Sequence, residues 1–478
     1  MKHKLKIFSL FLSGSLLVGS SSCNKIKDFG STNTNPNGTP IPITAALLTN
    51  VESGLAGYSV NVRNGYYSQY FAETQYPAAS LYSIPQLDFT GIYAGALEDL
   101  QNIINQNTNA ATKTVVAISG SNANQVAVAK ILKAYIMWTI TDRWGDVPYT
   151  KALSGDPQPA YDTQESIYKG LIADLKAAVA GFDNGPVFSG DILLNGSISG
   201  WKKFANSLRM QIALRTSKVY PAPGGWAATE FAAALSDPAG SISTNANNVS
   251  LAFPGAAFQN PWYAEYVAGS RKDDAESSTM TGMLTTLNDP RISVYGNATN
   301  GFPYGLSRDQ ATLVSSWAYV FKGTAMPDNT PSVISNAATT LFARAEAAEL
   351  GWTSESAATL YAQAVTASLS QWGFSASQIS TYLAQSAVDY STGSHLSKIG
   401  TQRWIALYPD GTQSWAEWRR TGYPALTPSA YAVNSSKQIP RRYVYGTNEY
   451  ALNNAAVKAA AAAITGGDTQ DSRMWWDK

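Results

Sequence analysis

Apolar residues fall at helical spacing in two blocks of this chain and lose that spacing between them. Val126–Thr141 is apolar nearly all round, with Ile131, Leu132, Tyr135, Ile136, Met137, Trp138 and Ile140. Such a helix is buried on most sides, and Gly145 and Pro148 stop it. Ile167, Leu171, Leu175, Ala178 and Phe182 recur at three and four, which predicts an amphipathic helix. Asp162 and Glu165 read as its capping pair. Trp201, Phe204, Leu208, Ile212 and Arg215 repeat the spacing, and a weaker helix around Thr229–Leu235 pairs with them. From Pro238 to Pro331 Gly, Asn, Pro, Ser and aromatics take over. That stretch predicts a loop-rich insertion with strand-like runs at Val249–Phe253 and Trp317–Phe321 and no helix. Helices return at Thr339–Leu350, Ser356–Trp372 and Ala376–Ala387, the last opened by a Ser375/Gln378 capping box. Ala343, Ala345, Ala347 and Ala348 allow close backbone approach in the first of these. Glu417–Pro440 reads as loop, and Asn454–Ile464 as an alanine-rich final helix. The tail Met474-Trp475-Trp476 is too apolar to hang free in water.

The pattern predicts a mainly α chain of helix pairs, with little β and one large irregular insertion at about 238–331. No strict repeat period supports it, and no linker divides residues 44–478, which read as a single body.

The chain start adds a different kind of segment. Lys2, Lys4 and Lys6 precede a twelve-residue, mostly apolar run from Ile7 to Val18. A helix of that length spans about 18 Å, short of the roughly 30 Å of a hydrocarbon core. Residues 1–22 therefore read as a secretory signal. Small residues lead to Cys23, the only cysteine of the chain. That is the bacterial lipoprotein pattern, in which the thiol is acylated and the peptide is cut before it. Ser20 departs from the Leu of the strict pattern, and an ordinary signal with a free thiol is the alternative. Residues 23–43 then form a polar tether rich in Asn, Thr, Pro and Gly.

Charge and composition exclude several functions. The chain's 34 basic residues, less Lys2, Lys4 and Lys6, leave 31 against 33 acidic, a formal charge of −2. That balance argues against a nucleic-acid partner. With Cys23 acylated and His3 removed, only His395 remains, so Cys/His nucleophile pairs, structural zinc and disulfides are excluded by count. His395 beside Gly393 and Ser394 reads as a loop residue. Asp273-Asp274 and Asp468/Asp471 have the hard oxygens calcium needs. No EF-hand loop is present, and the reading assigns these acids to solvent, with no metal, cofactor or catalytic residue.

The 54 aromatic residues against 14% charged residues point instead to a binding face. Sugar rings stack their C–H faces on flat aromatic surfaces that also carry a polar handle. The candidates are aromatics in irregular chain. One cluster is Trp262, Tyr263 and Tyr266 with Arg271; a second runs from Tyr70 to Tyr82 and includes Tyr76; a third is Trp317 and Tyr319. Packing beneath long loops is the alternative for each.

Several stretches, in one order along nearly the whole chain, resemble the SusD/RagB family of nutrient-binding outer-membrane lipoproteins, of the SusD-like, starch-binding-associated type. They are Asn35–Asn37, Thr141–Ala152, Tyr161–Gln164, Trp201–Arg215, Ala343–Trp352, Gln402–Trp404, Trp415–Leu426 and Ile439–Arg442. The resemblance implies tetratricopeptide-like helix pairs in an α-α superhelical scaffold, with irregular loops as the ligand face. It implies a surface lipoprotein, anchored in the outer membrane, that sits as a lid on a TonB-dependent transporter, a SusC-like barrel. Ligands are oligosaccharides or, in some branches, peptides; sparse charge and aromatic loops favour oligosaccharide. Trp144, Trp404 and Trp418 read as core. Arg419 and Arg420 read as members of a buried network with Glu417 or backbone carbonyls, with an anion grip as the alternative. A carboxylate-pair glycosidase and a purely structural scaffold are the competing functions, and no motif supports the first.

The anchor reading makes a direct prediction. Cys23→Ser should shift the protein from the membrane fraction to the soluble fraction; undiminished membrane retention would contradict acylation at Cys23.

Overall fold

The protein is described here from a computed structural model covering residues 41–84 and 87–478. The expected signal segment, Cys23 and the tether up to residue 40 lie outside the described residues. Helix α1 spans Thr44–Ser53 and packs on α2, Glu98–Thr108. The long helix α3, Asn122–Trp144, follows and is buried along almost its whole length. Its apolar character on most sides leaves only a narrow strip, through Val126, Lys130 and Lys133, partly open to water. The Ser121 hydroxyl caps its start by accepting from the Asn124 N–H, and Gly145, at φ +91°, ends it. α4 (Gln164–Gly181), α5 (Ile198–Arg215) and α6 (Trp226–Leu235) then stack, each on its predecessor.

The cap of α4 differs from the expected one. Thr163, not Asp162, accepts from the Ser166 N–H. The Asp162 carboxylate instead takes the N–H groups of Tyr149 and Thr150 at 3.0 and 2.8 Å, tying down the turn after α3. Glu165 pairs with Lys169 one helical turn on, at 2.6 Å.

The middle of the chain is irregular but not helix-free. Helix α7, Ser278–Thr286, opens on the Ser277 hydroxyl, which accepts from the Met280 N–H. Its sequence, Ser-Thr-Met-Thr-Gly-Met-Leu-Thr-Thr, has too few apolar residues to show a helical period. Strand β1, Phe71–Glu73, pairs antiparallel with β3, Asp274–Glu276. β2, Val249–Leu251, lies in the first strand-like run and pairs with β4, Ser332–Ser335. Trp317–Phe321 forms no strand; only Val320 makes a bridge, to Gly296.

The second helical block is α8 (Ala337–Glu349), α9 (Ala357–Gln371) and α10 (Ala376–Leu383), with the Ser375/Gln378 capping box formed as expected. Ala343, Ala345 and Ala347 are fully buried, and α8 lies closely against α9. Two further helices take in residues expected as loop, His395 in one and Glu417–Thr421 in the other. α11 spans His395–Leu407, so His395 is the first residue of a helix rather than a loop residue. α12 spans Gly411–Thr421 and ends at Gly422 with φ +78°, so the loop expected from Glu417 begins only after Thr421. α13, Asn454–Ala463, is the expected final helix. Trp476 in the tail is fully buried and Met474 nearly so. The result is a mainly helical fold with little sheet, and none of the described helices is long and apolar enough to cross a membrane.

The two blocks meet at a buried ionic cluster. Arg215 of α5 reaches Asp142 of α3 at 2.7 Å and Glu417 of α12 at 3.0 Å. Glu417 also takes Arg420 at 2.6 Å and Arg403 of α11 at 3.1 Å. Arg420 continues to Glu346 of α8 at 2.5 Å. Burial alone would raise the Glu417 carboxyl, but Arg403, Arg420 and Arg215 together hold it well below the usual carboxylate range. The indole N–H of Trp476 donates to Asp142 at 3.1 Å. Arg419 lies 3.7 Å above the Trp415 ring, and its guanidinium pKa is lowered by burial to about 9, with Asp142 opposing the shift.

Removing one member leaves buried partners unpaired, which costs roughly 3–5 kcal/mol. Glu417→Gln is therefore expected to lower unfolding free energy by about that amount in urea titrations; a change below about 1 kcal/mol would contradict the cluster's role.

Candidate functional site

The β1–β3 pair is the base on which the irregular loops are assembled. Phe71 faces Glu276, Ala72 faces Ala275 and Glu73 faces Asp274. The chain around Ala318 continues this surface, since the Glu276 N–H donates to the Ala318 carbonyl at 3.0 Å. Ala72, Ala275, Phe302 and Ala311 form a small core beneath, with Tyr304 and Trp317 packed on it.

The structure brings most of the sequence-predicted aromatics into one train of rings. Phe302 and Trp317 are 5.3 Å apart, Trp317 and Tyr319 6.1 Å, and Tyr319 and Tyr266 5.3 Å. Tyr266 stacks on Trp262 at 5.7 Å, and Trp262 meets Phe71 at 4.9 Å. The inner end of this train is core. Trp262 is 4% exposed and Tyr266 2%. Their sequence context explains it. Asn260 and Pro261 start a helical turn, Pro261–Tyr263, with the Asn260 side chain accepting from the Trp262 N–H at 2.8 Å. In that turn and its continuation Ala264–Ala268, positions 262 and 266 share a face. That face turns inward and leaves Tyr263 half-buried at the surface. The Tyr266 hydroxyl donates to the Asp274 carbonyl at 2.9 Å. Trp262 and Tyr266 are thus corrected from ligand contacts to supports.

Tyr82 is corrected likewise: it is fully buried, and its hydroxyl accepts from the Ser429 N–H at 3.1 Å. Arg271 is exposed and is engaged by Asp273, with Glu265 at 3.9 Å. Asp273 and Asp274 are occupied within the protein, and among the described residues no group of three His, Cys, Asp or Glu could hold a metal ion. Asp468 pairs with Arg442, and Asp471 accepts from Asn434 and Ser436. His395 stacks on Tyr390 with ring centres 4.3 Å apart and lies 3.1 Å from Glu349, on the helical scaffold.

What stays at the surface is a rim. Tyr76 is 57% exposed, and Trp317 and Tyr319 are partly exposed. The latter two flank buried Ala318 in extended chain, so they share the outward side. Sequence reading missed Arg308, whose guanidinium lies 5.8 Å over the Tyr76 ring. It also missed Tyr431 and Leu313, both exposed. Nothing periodic marks these residues; the loops that carry them come from three parts of the chain and are tied to one another by hydrogen bonds. Ser429 donates to the Gly305 carbonyl at 2.6 Å, and the Val433 N–H to the Leu81 carbonyl at 2.8 Å. Gly305, at φ +66°, permits this: a Cβ there would lie 2.5 Å from that of Ser429.

Acid groups lie beneath the loops. Burial raises the Asp274 carboxyl to about 7, opposed by the hydrogen bond from the Tyr66 hydroxyl and reinforced by Glu265, Glu73 and Asp273. Glu276 is pushed well above the usual carboxylate range by burial, and neither of its oxygens meets a protein donor.

Comparison with known proteins follows from this geometry. A family model described as starch-binding, associating with outer membrane (SusD-like), matches residues 36–446. No curated protein matches. Among solved structures, a chitin-binding protein is 25% identical at a TM-score of 0.75, covering 91% of this chain and 100% of that one. A SusD homolog from Bacteroides vulgatus is 25% identical at a TM-score of 0.75, covering 91% and 97%. A chitin-binding SusD homolog from Flavobacterium johnsoniae is 23% identical at 0.74, again covering 91% and 97%.

A carboxyl held protonated by the fold loses that advantage as pH rises. Below about 4 Asp274 is protonated in both states; between about 4 and 7 only the folded state keeps the proton, so stability falls with pH across that window. Asp274→Asn is expected to gain on the order of 2 kcal/mol at pH 8 and to flatten this part of the stability profile. An unchanged profile would contradict the assignment.

Proposed function

Because the chain belongs to the SusD-like family of starch-binding, outer-membrane-associated proteins, we propose that it captures oligosaccharides at the cell surface and delivers them to a TonB-dependent transporter barrel. As in its family, the protein binds its ligand and is not an enzyme. The observation that carries the proposal is the exposed rim of Tyr76, Trp317 and Tyr319 with Arg308, built on loops fastened to one another. Aromatic faces accept the apolar C–H side of a sugar ring, and the Tyr hydroxyls and the guanidinium supply donors for its hydroxyl groups. Such a rim needs little reorganisation on binding, because its inner rings are already packed as core.

The similarity to a chitin-binding protein supports a sugar ligand. We assign an oligosaccharide, with β-linked N-acetylated sugars to be tried first. In the proposed cycle the rim stacks the sugar, and the lipoprotein, tethered through Cys23, closes as a lid on a SusC-like barrel. Tyr263 is half-buried and Arg271 exposed, and both belong to the proposal as secondary contacts.

Titration calorimetry of the chain from Asn24 with chito-oligosaccharides, malto-oligosaccharides and mixed oligopeptides tests it. Saturable binding to one sugar class is expected. Tyr76→Ala should weaken it roughly tenfold, about 1.4 kcal/mol, with unchanged thermal stability, and Trp317→Ala should weaken it by as much while also lowering thermal stability, because its ring packs on Phe302. Trp262→Ala should instead destabilise the fold by about 3–5 kcal/mol. Binding to peptides alone would keep the family and replace the ligand.

A further inference from the structure

A second exposed apolar surface lies on the helical scaffold, away from the loops just described in sequence. Between α2 and α3 the chain makes one helical turn, Lys113–Val116, and one tighter turn, Ala117–Ser119. Val116 and Ser119 point inward, whereas Val115 is 55% exposed and Ile118 91%. Val187, in the loop between α4 and α5, is 48% exposed. An isoleucine that open to water contributes nothing to the core, and with Val115 and Val187 it makes an apolar patch rather than a lone exposed residue.

The two loops form one rigid corner. The Ser121 N–H donates to the Pro186 carbonyl at 2.9 Å, and the Ser189 N–H to the Ser119 carbonyl at 2.7 Å. The Asn124 amide reaches the Pro186 carbonyl at 3.2 Å. Gly120 sits at φ +135°, where a Cβ would lie 2.5 Å from the Val187 carbonyl oxygen. Gln125 holds the loop from inside, donating to the carbonyls of Val116 and Gly120 at 2.8 Å each. The same Gln125 accepts from the hydroxyl of Thr44, the first residue of α1, at 2.6 Å. The start of α1 is therefore fastened at this corner. Cys23 precedes Thr44 by 21 residues, a tether of roughly 70 Å at full extension.

From this placement we infer that the Val115–Ile118–Val187 corner rests on the lipid surface of the outer membrane. The corner is at the root of the tether, on a chain whose family associates with that membrane. Its aliphatic side chains suit the headgroup–acyl boundary, where apolar groups settle roughly 5–10 Å deep. Lys113 is exposed beside it, and Asp183 accepts from the Ser121 hydroxyl at 2.7 Å. The local charge is thus balanced, so the contact is apolar and fits a zwitterionic lipid. An acyl chain plus a second, weak contact fixes orientation as well as attachment. The inference rests on Cys23 as the acylation site and not on the identity of the ligand.

The natural chain offers a clean test, because acylation occupies its only thiol. Ile118→Cys and, as a control, Leu313→Cys, which is 82% exposed on the ligand-side loop, are labelled with bimane in the full acylated protein. Each is reconstituted into phosphatidylcholine vesicles with and without shallow spin-labelled lipid. Loss of fluorescence at 118 and none at 313 is the expected result. Protein that floats with the vesicles but keeps full fluorescence at 118 would overturn the membrane contact alone. Protein absent from the vesicles would overturn it together with the anchor. Shielding of 118 from water only when a transporter barrel is co-reconstituted, without lipid quenching, would also overturn it and assign the corner to a protein partner.

Discussion

Charge buried where helices meet is the constraint on which this structure depends. Asp142, Arg215, Glu346, Arg403, Glu417 and Arg420 come from five helices, and each is almost wholly removed from water. A buried ion pair is a poor source of stability, since desolvation offsets the attraction. Its geometric demands are strict, however, because any displaced helix leaves a guanidinium or carboxylate unpaired. The cluster therefore selects one arrangement of α3, α5, α8, α11 and α12 among the many that would bury the same apolar area. The tail is drawn into it through Trp476 and Asp142. A second pair, Asp289 with Arg291, does the same for α9 and α11, where Arg291 reaches Ser368 and Gln402 at 2.8 Å each.

That arrangement explains which parts of the fold were legible in the sequence. Five of the motifs that carried the family resemblance contain cluster members: Asp142, Arg215, Glu346 and Arg403 each fall in a different one, and Glu417 and Arg420 in a fifth. The charged residues of these motifs are buried between helices, so the motifs speak to fold rather than ligand. Helices with a regular apolar stripe, such as α4 and α5, were equally plain. α12 was missed because its stripe is masked by Glu417, Arg419 and Arg420, which look like surface residues and are buried. α7 was missed for the opposite reason, having threonines where a stripe needs large apolar side chains.

The proposed ligand face was legible as composition and not as geometry. Trp262 and Tyr266 stood out as aromatics in loop-like chain, and the Asn260-Pro261 pair was the available sign that a helical turn would bury both. Trp317 and Tyr319 reach the surface because extended chain alternates its sides. Arg308 over Tyr76, and the proximity of the Tyr431 segment to Gly305, depend on contacts between loops more than a hundred residues apart. No spacing rule encodes such contacts. The division of labour in the proposed reading is physical: inner rings and buried carboxyls form the base, and the outer rings stand at the surface.

Hydrogen–deuterium exchange with and without a saturating oligosaccharide tests this division most directly. The account predicts new protection in the loops at 74–84, 302–321 and 429–433, with the helices of the ionic cluster already slow to exchange and unchanged. Protection appearing instead across α3, α5 and α12, with those loops unaffected, would contradict it.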